Sequence, residues 1–545
     1  MPDLKPRQQL GFTWRFGGGT NTRASEDEIK DSEDAGGGNF ALDLHNSQWR
    51  PRKGFALQGT ATNGSAVNGF AQLMKTDGTL STLIQAGTTV YEWDLSTGFT
   101  SVGTVSAGAK LRGPLTSNWN LSDIVIISDL GLVENVKTWD GTTFADLDTT
   151  GGSSSLTNFK AKYIFVENER VWAAGINENS TDLRHMIAAS SQSDETSWTV
   201  TDRPSSALGD ADPFQLTSPD LKPVNGLVYA LGNVVFSTRY GSMYRILGSS
   251  AKDFSVLPLY SNSGASGDEA VIFVGDDVYY GRPGVIESLA SVETLGNVTV
   301  DDLTRNIYTD STGFDVKDVV EWRLVVDAGR AIVYCFPKDS DQVYVYYKAF
   351  RDEIAKGLVR MQAVQTASPW SVWTTRHPAT FEPSCAWSML DAKKIPQVYF
   401  GDTSGNIYQF ESGHADGIST SIASERLSKS IETPRAALWD VEGHIIYRAS
   451  TEERVLNLRF EHGGISITNQ DISITLPALP LGPVWGGFQW NDGTYYGTRF
   501  VGRLSRRAYT AAGRSSRIQV RATIEGQSDF SIAEIGIRFK TGAQP

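Results

Sequence analysis

The 545-residue chain is 40% hydrophobic, 10% aromatic and 20% charged, the composition of a folded protein and not of a disordered one. Its net charge of −13 excludes a chain-wide nucleic-acid or anionic-membrane binder, which needs clustered Lys and Arg against phosphate. Two cysteines, Cys335 and Cys385, are too few for a disulfide scaffold, and MPDLKPRQQL lacks the apolar stretch of a secretory signal, so a soluble product of a reducing cytosol is expected.

In chain order, the first distinctive stretch is RFGGGTNTRASEDEIKDSEDAGGGNFALDL at 15–44. Two glycine triplets bracket Glu26, Asp27, Glu28, Asp31, Glu33 and Asp34, with only Arg23 and Lys30 against them. Phe40, Leu42 and Leu44 then alternate with Ala41 and Asp43, the pattern of a half-buried strand. At this length two or three domains are expected. The 53 glycines, among many Thr, Ser, Val and Tyr residues, predict short strands joined by tight turns.

Strand units then recur with a loose period. LSTLIQAGTTVYEWDLSTGFTSV covers 80–102 and SDIVIISDLGLVENVKTWDGTTFADLD covers 122–148, so that Trp93 and Trp139 fall in matching Trp-Asp contexts. AKYIFVENERVWAAG follows at 161–175, with SWTVTD at 197–202 as its expected outer strand. Further units occupy 227–248, 270–291, 323–375 and 384–412. LVYALGNVVF is among the longest apolar runs and falls short of a membrane span. LVRMQAV near 358–364 allows one short helical turn. About seven units of this length predict a β-propeller of four-stranded blades, with six or eight blades as alternatives; radial packing would cover faces and edges that a lone sheet leaves open. The WD40 signature around the two Trp-Asp pairs is missing, which leaves a generic propeller.

Beyond Gly413 the character changes. Leu456, Leu458 and Phe460, then Ile465 and Ile467, then Ile472, Ile474 and Leu476, and finally Ile518, Val520, Ala522 and Ile524 form alternating segments. A change of phase between Ile532 and Ile535 predicts a β-bulge. The expected division is an N-terminal arm and hairpin over 1–58, a propeller over 59–414 and a β-sandwich-like domain over 415–545 that the terminal segments build together.

Motifs that carry chemistry are scarce. Walker A, HExxH, GxSxG and CxxC patterns are all missing. The six histidines are scattered singly, and the acidic run 26–34 lacks the spacing of an EF-hand loop. Asp210 and Asp212 in GDADPF read as a turn. SQSDETSW at 191–198 echoes the sialidase Asp-box, but Asp194 stands one place late and Glu195 replaces its glycine; such boxes are structural turns in any case. No catalytic residue, metal or cofactor is expected. The informative cluster is Arg499, Arg503, Arg506, Arg507, Arg514, Arg517 and Arg521. Arginine forks suit carboxylates at interfaces, so these residues and the acids Glu26, Asp27, Glu28, Asp31, Glu33 and Asp34 are candidates for docking between subunits or onto an adaptor.

Gly18, Gly19, Asn21 and Thr22, followed by Asn39, Asp43, Arg50, Arg52, Gly54 and Phe55, resemble the opening of bacteriophage tail and connector proteins. GRSSRIQVRATIEGQSDFSIAEIGIRFK at 513–540 resembles their closing strands. With a propeller between, the chain is most similar to the tail nozzle proteins of short-tailed phages (the tail tubular B type). That resemblance implies a homohexamer docked beneath an adaptor and portal ring, beside tail fibres or spikes. Double-stranded DNA would be retained in its lumen and released through it, without sequence-specific binding and without a membrane span. It also implies a virion location after assembly in the host cytoplasm. The alternatives are a carbohydrate-binding or depolymerising propeller of the host-adhesion apparatus, and another tail hub or connector component.

Overall fold

A computed structural model of the chain describes residues 9–16, 18–22, 29, 33–42, 49–95, 98–113, 119, 123–151, 156–199, 209–230, 232–275, 277–290, 299–307, 316–338, 340, 342–348, 369–374, 383–413, 416, 422–432, 438–448, 453–462, 465–466, 472–476, 500–509, 517–526 and 531–541. Among them, seven four-stranded antiparallel units follow one another. Blade 1 spans 67–104, blade 2 spans 111–146, blade 3 spans 160–217, blade 4 spans 224–260, blade 5 spans 271–302 and blade 6 spans 322–374. Blade 7 takes three strands from 383–409 and its fourth from Ala56–Thr60. First strands touch those of the next blade round the ring, except that blade 3's first strand meets the second strand of blade 2, and the first strand of blade 7 meets that of blade 1. The chain is a closed seven-bladed β-propeller.

The Trp-Asp spacing has a structural cause. Trp93 and Trp139 end the third strands of blades 1 and 2, opposite Phe99 and Phe144 respectively. Trp139 Nε1 donates to Ser81 Oγ of blade 1 at 2.8 Å, so the indole serves the seam between blades. Seams elsewhere rely on missing side chains. A Cβ on Gly226 of blade 4 would lie 2.4 Å from Val271 of blade 5. One on Gly281 of blade 5 would lie 2.5 Å from Trp322 Cβ of blade 6, and one on Gly401 of blade 7 would lie 2.3 Å from Val67 Cβ of blade 1.

The expected outer strand of blade 3 is corrected. Ser197–Thr199 is not strand; the fourth strand is Phe214–Thr217. The reason is local: Ser191 N donates to Ser197 O and Trp198 Nε1 to Glu195 O at 2.7 Å. That folds the segment on itself, and the buried Trp198 ring packs on Phe159. The segment resembling an Asp-box is thus a closed structural turn. GDADPF is a turn as well, in which Asp212 accepts from the Gly209 amide. The segment 358–364 lies outside the described residues.

The remaining strands form two facing sheets. One holds Gln9–Arg15, Phe40–Leu42, Trp49–Pro51, Leu438–Arg448, Phe500–Tyr509 and Ser531–Thr541; the other holds Gly36–Gly38, Ile422–Leu427, Ile431–Glu432, Arg454–His462, Ile465–Ser466, Ile472–Leu476 and Arg517–Gly526. Leu456, Leu458 and Phe460 bury the alternate positions expected, as do Val520, Ala522 and Ile524. The bulge is present: Ile446 pairs with Glu534 but Tyr447 with Ile532, which leaves Ala533 as the extra residue. One apolar core runs from these sheets into blades 6 and 7 through Phe40, Phe55, Trp373, Phe400 and Phe410. The strand Ala56–Thr60 straddles the expected boundary at 58 and belongs to the propeller by its pairing.

Gly281→Ala should cost roughly 1–3 kcal/mol, because the added methyl overpacks a seam that cannot open without moving Trp322. Gly329→Ala, whose Cβ would meet only Asp327 Oδ1 at 3.5 Å, should be close to neutral. Denaturant titration of both variants checks the contrast, and equal midpoints would remove the seam argument.

Candidate docking surface

The second glycine triplet forms strand Gly36–Gly38, antiparallel to Ile422–Leu427. Gly37 has φ +122, and a Cβ there would lie 2.4 Å from Glu425 O. Only glycine fits so close to the facing backbone. On its other side the arm meets blade 6. Thr20 N donates to Trp370 O at 2.9 Å and Asn39 N to Val372 O at 2.8 Å. Ser371 Oγ and Trp373 Nε1 both donate to Phe40 O. The arm is therefore wedged between the propeller and the terminal sheets of its own chain.

Two buried ion pairs lock that wedge. Arg426 Nε and Nη2 both reach Asp34 Oδ2 at 2.5 Å, and both side chains are fully buried. Arg426 Nη2 also donates to Gly18 O at 2.6 Å, and the guanidinium lies over the rings of Phe16 and Phe40. Among the described residues Asp34 Oδ1 has no hydrogen-bond partner. Burial accordingly pushes the Asp34 carboxyl up to about 7 against the pull of Arg426, and it pushes Arg426 down.

The second pair is better satisfied. Arg52 Nη1 and Nη2 grip Asp416 as a fork at 2.6 and 2.5 Å, while its Nε donates to Asn39 Oδ1 at 2.9 Å. Phe55 N donates to Asp416 Oδ1, and the guanidinium sits 4.1 Å from the Phe55 ring centroid. Bidentate, charge-assisted bonding of this kind gives geometric specificity as well as energy. The fork joins the hairpin Phe40–Leu42/Trp49–Pro51, the entry to blade 7 and the segment leading into the terminal sheets.

These placements sort the candidate residues. Glu33 and Asp34 are corrected: both are buried, Glu33 accepts from Asn21 Nδ2 at 2.9 Å, and Asp34 is taken by Arg426. Charges at those positions hold the arm to its own chain and are out of reach of a neighbour. Glu26, Asp27, Glu28, Asp31, Arg499 and Arg514 lie outside the described residues. Arg503, Arg506 and Arg507 lie on Phe500–Tyr509, opposite His444, Val441 and Asp440. Arg517 stands opposite Glu432. Arg521 pairs with Glu425 and with the buried Glu461. The structure thus places Arg521 in an intrachain network.

Sequence reasoning missed Arg426 and Asp416. Arg426 had a signal: it shares the buried phase of its strand with Ile422 and Ser424, where a charge needs a partner. Asp416 had none. No group of three or more His, Cys, Asp or Glu side chains suited to a metal occurs among the described residues, and no helix there is long and apolar enough to cross a membrane.

Neither a family model nor a curated protein matches the sequence. Solved structures with similar strand arrangements include YCF48 from Cyanidioschyzon merolae, at 8% identity and TM-score 0.36 over 64% of this chain and 95% of that one. BBS1N in complex with ARL6DN matches at 9% and 0.37 over 67% and 99%. The N-terminal domain of Nup159 matches at 9% and 0.34 over 66% and 95%. Likeness at this level says nothing about activity.

Arg426→Met should destabilise the fold, since it leaves the buried Asp34 carboxyl and the Gly18 carbonyl without their donor, at about 1–3 kcal/mol for each unsatisfied group. The pH dependence has a definite sign. Asp34 titrates higher in the folded chain, at about 7, than at its ordinary 3.8, so its stabilising contribution is complete below the lower value and is lost as pH rises through the upper one. Asp34→Asn should therefore remove a fall in Tm between pH 5 and pH 8. A constant Tm difference between the two chains across that range would contradict the assignment.

Proposed function

We propose that the chain is a structural virion protein of the tail-nozzle type. In this reading six copies form a ring docked on an adaptor and portal, next to tail fibres or spikes, and the ring retains and then releases double-stranded DNA. It carries no catalysis, and it reaches the tail of the virion after assembly in the host cytoplasm. The observation that supports this best is the interlock of the two chain ends. Gln9–Arg15 pairs with Ser531–Thr541 along its whole length, and both lie in a platform fused by one core to blades 6 and 7. Such a platform is rigid enough to carry a ring contact.

The residues that prompted the resemblance are also the ones that build the clasp. Arg52 and Phe55 meet at Asp416, and Asn39 accepts from Arg52 Nε. Contacts between copies then fall to the arginines of 499–517 and to the acids Glu26, Asp27, Glu28 and Asp31. Exposed ion pairs contribute about 0–1 kcal/mol each, so a ring uses them to set register more than to supply affinity. An acidic lumen repels phosphate and keeps DNA mobile. The glycan-binding alternative gains nothing from the tryptophans: all eleven whose side chains are described are buried.

Mass photometry tests the proposal. Six chains of 59.4 kDa should give a ring of about 350 kDa with closed cyclic symmetry. Reversing Arg503, Arg506 and Arg507 together to Glu should shift the population towards single chains. A native protein that stays monomeric at micromolar concentration would sink the nozzle reading.

A further inference from the structure

The linker from blade 4 to blade 5 carries two adjacent acids, Asp268 and Glu269, just before strand Val271–Val274. Glu269 Oε1 accepts from Arg112 Nε at 2.7 Å, and Glu269 Oε2 pairs with Arg323 Nε at 2.8 Å. Arg112 lies in the first strand of blade 2 and Arg323 in the first strand of blade 6. Blades 2 and 5 are not neighbours. Blades 3 and 4 separate them on one side, and blades 6, 7 and 1 on the other. An ion pair between their inner edges therefore crosses the propeller axis.

Asp268 reaches in another direction, to the first strand of blade 3. Its Oδ2 pairs with Lys162 Nζ at 2.8 Å, and its Oδ1 accepts from the Tyr163 hydroxyl at 3.2 Å. The two arginines extend the lattice. Arg112 Nη1 donates to Asn68 O of blade 1 at 2.6 Å, and Arg323 Nη1 donates to Ser384 O of blade 7 at 3.2 Å. Two consecutive residues thus connect, directly or through one arginine, to blades 1, 2, 3, 6 and 7.

We propose that Asp268 and Glu269 are the keystone of the propeller, closing its axis and holding the inner strands together at the seam where blade 7 meets blade 1. Two guanidiniums on one carboxylate make the lattice hard to release. Burial penalises the Glu269 charge, but Arg112 and Arg323 outweigh that penalty and hold the carboxyl at about 2. A closed axis also makes each propeller a solid wall element, so a conduit through an assembly of these chains runs between copies and not through a blade ring. The keystone itself does not depend on the nozzle reading.

The chain contains its own reporter. Cys385 is buried at that seam, with Sγ donating to Val67 O of blade 1 at 2.9 Å, one residue from the carbonyl that Arg323 holds. Cys335 is buried in the second strand of blade 6 and serves as the internal reference. The full-length protein is labelled under native conditions with a thiol-specific reagent. With each rate corrected for its thiolate fraction, because the Glu269 charge itself raises the Cys385 thiol, Glu269→Gln should accelerate Cys385 labelling by about tenfold or more, a local-opening effect, and leave Cys335 unchanged. An unchanged Cys385 rate overturns the proposal. So does equal acceleration of both thiols, which would mean that the ring opens only as a whole. If Glu269→Gln does not fold, Arg323→Lys keeps the charge but loses the planar fork, and the same two rates decide.

Discussion

Blade 7 has only three strands of its own, and the backbone groups along the outer edge of Asn406–Gln409 find their partner in Ala56–Thr60. The residues that meet there, Thr60 and Asn406, are 346 positions apart in sequence. Until that pairing forms, blade 7 has three strands and presents an open edge. An unpaired edge of this kind is also a template for pairing with other chains. Everything else in the architecture is arranged around bringing an early segment to a late one. The cost is loop-closure entropy, which grows only slowly with separation.

That requirement explains where the charges are buried. Arg52 and Asp416 stand next to the two segments that must meet, one a few residues before Ala56–Thr60 and the other a few after Asn406–Gln409. Arg426 and Asp34 perform the same task between the arm and the terminal sheets. Buried pairs are weak contributors to net stability when compared with well-packed apolar replacements, yet removing one partner is costly. Their value here is discrimination. A strand that docks in the wrong register leaves a guanidinium or a carboxylate in the core without its counter-charge. The glycine strand Gly36–Gly38 adds a steric version of the same restriction, since its approach to Glu425 O admits no side chain.

Much of this was legible in the sequence, and the limits have physical causes. The repeat of apolar run, turn and aromatic strand pointed to a propeller of about seven blades, with six or eight left open, because each blade must satisfy the same packing against two neighbours. The phase change near Ala533 announced the bulge, since side chains alternate strictly along a strand and one extra residue reverses the pattern. The fourth strand of blade 7 was not legible, because pairing across the whole chain leaves no local mark. SWTVTD has the alternation of a strand, but Ser191 N takes the Ser197 carbonyl and the Trp198 indole turns back to Glu195 O. Glu33 and Asp34 looked like the end of a solvated acidic run. What separates them from the rest is the bridge between Thr20 and Asp34, which depends on a fold that no window of sequence contains.

The same bridge bears on how an acidic arm can serve an assembly. Asn21 N donates to Asp34 O, and Asp34 N to Gly19 O, so the two ends of the run are tied together on their own chain. Within the nozzle reading, charge available to a neighbour is then restricted to the residues between those ends, and the arm needs no release from its own platform to make a contact. An arm pinned at both ends gives up little conformational entropy when a partner binds, compared with a free tail. Weak exposed pairs suffice under that condition: the two ends of the segment are already tied to each other, and what remains for the contact between copies is register.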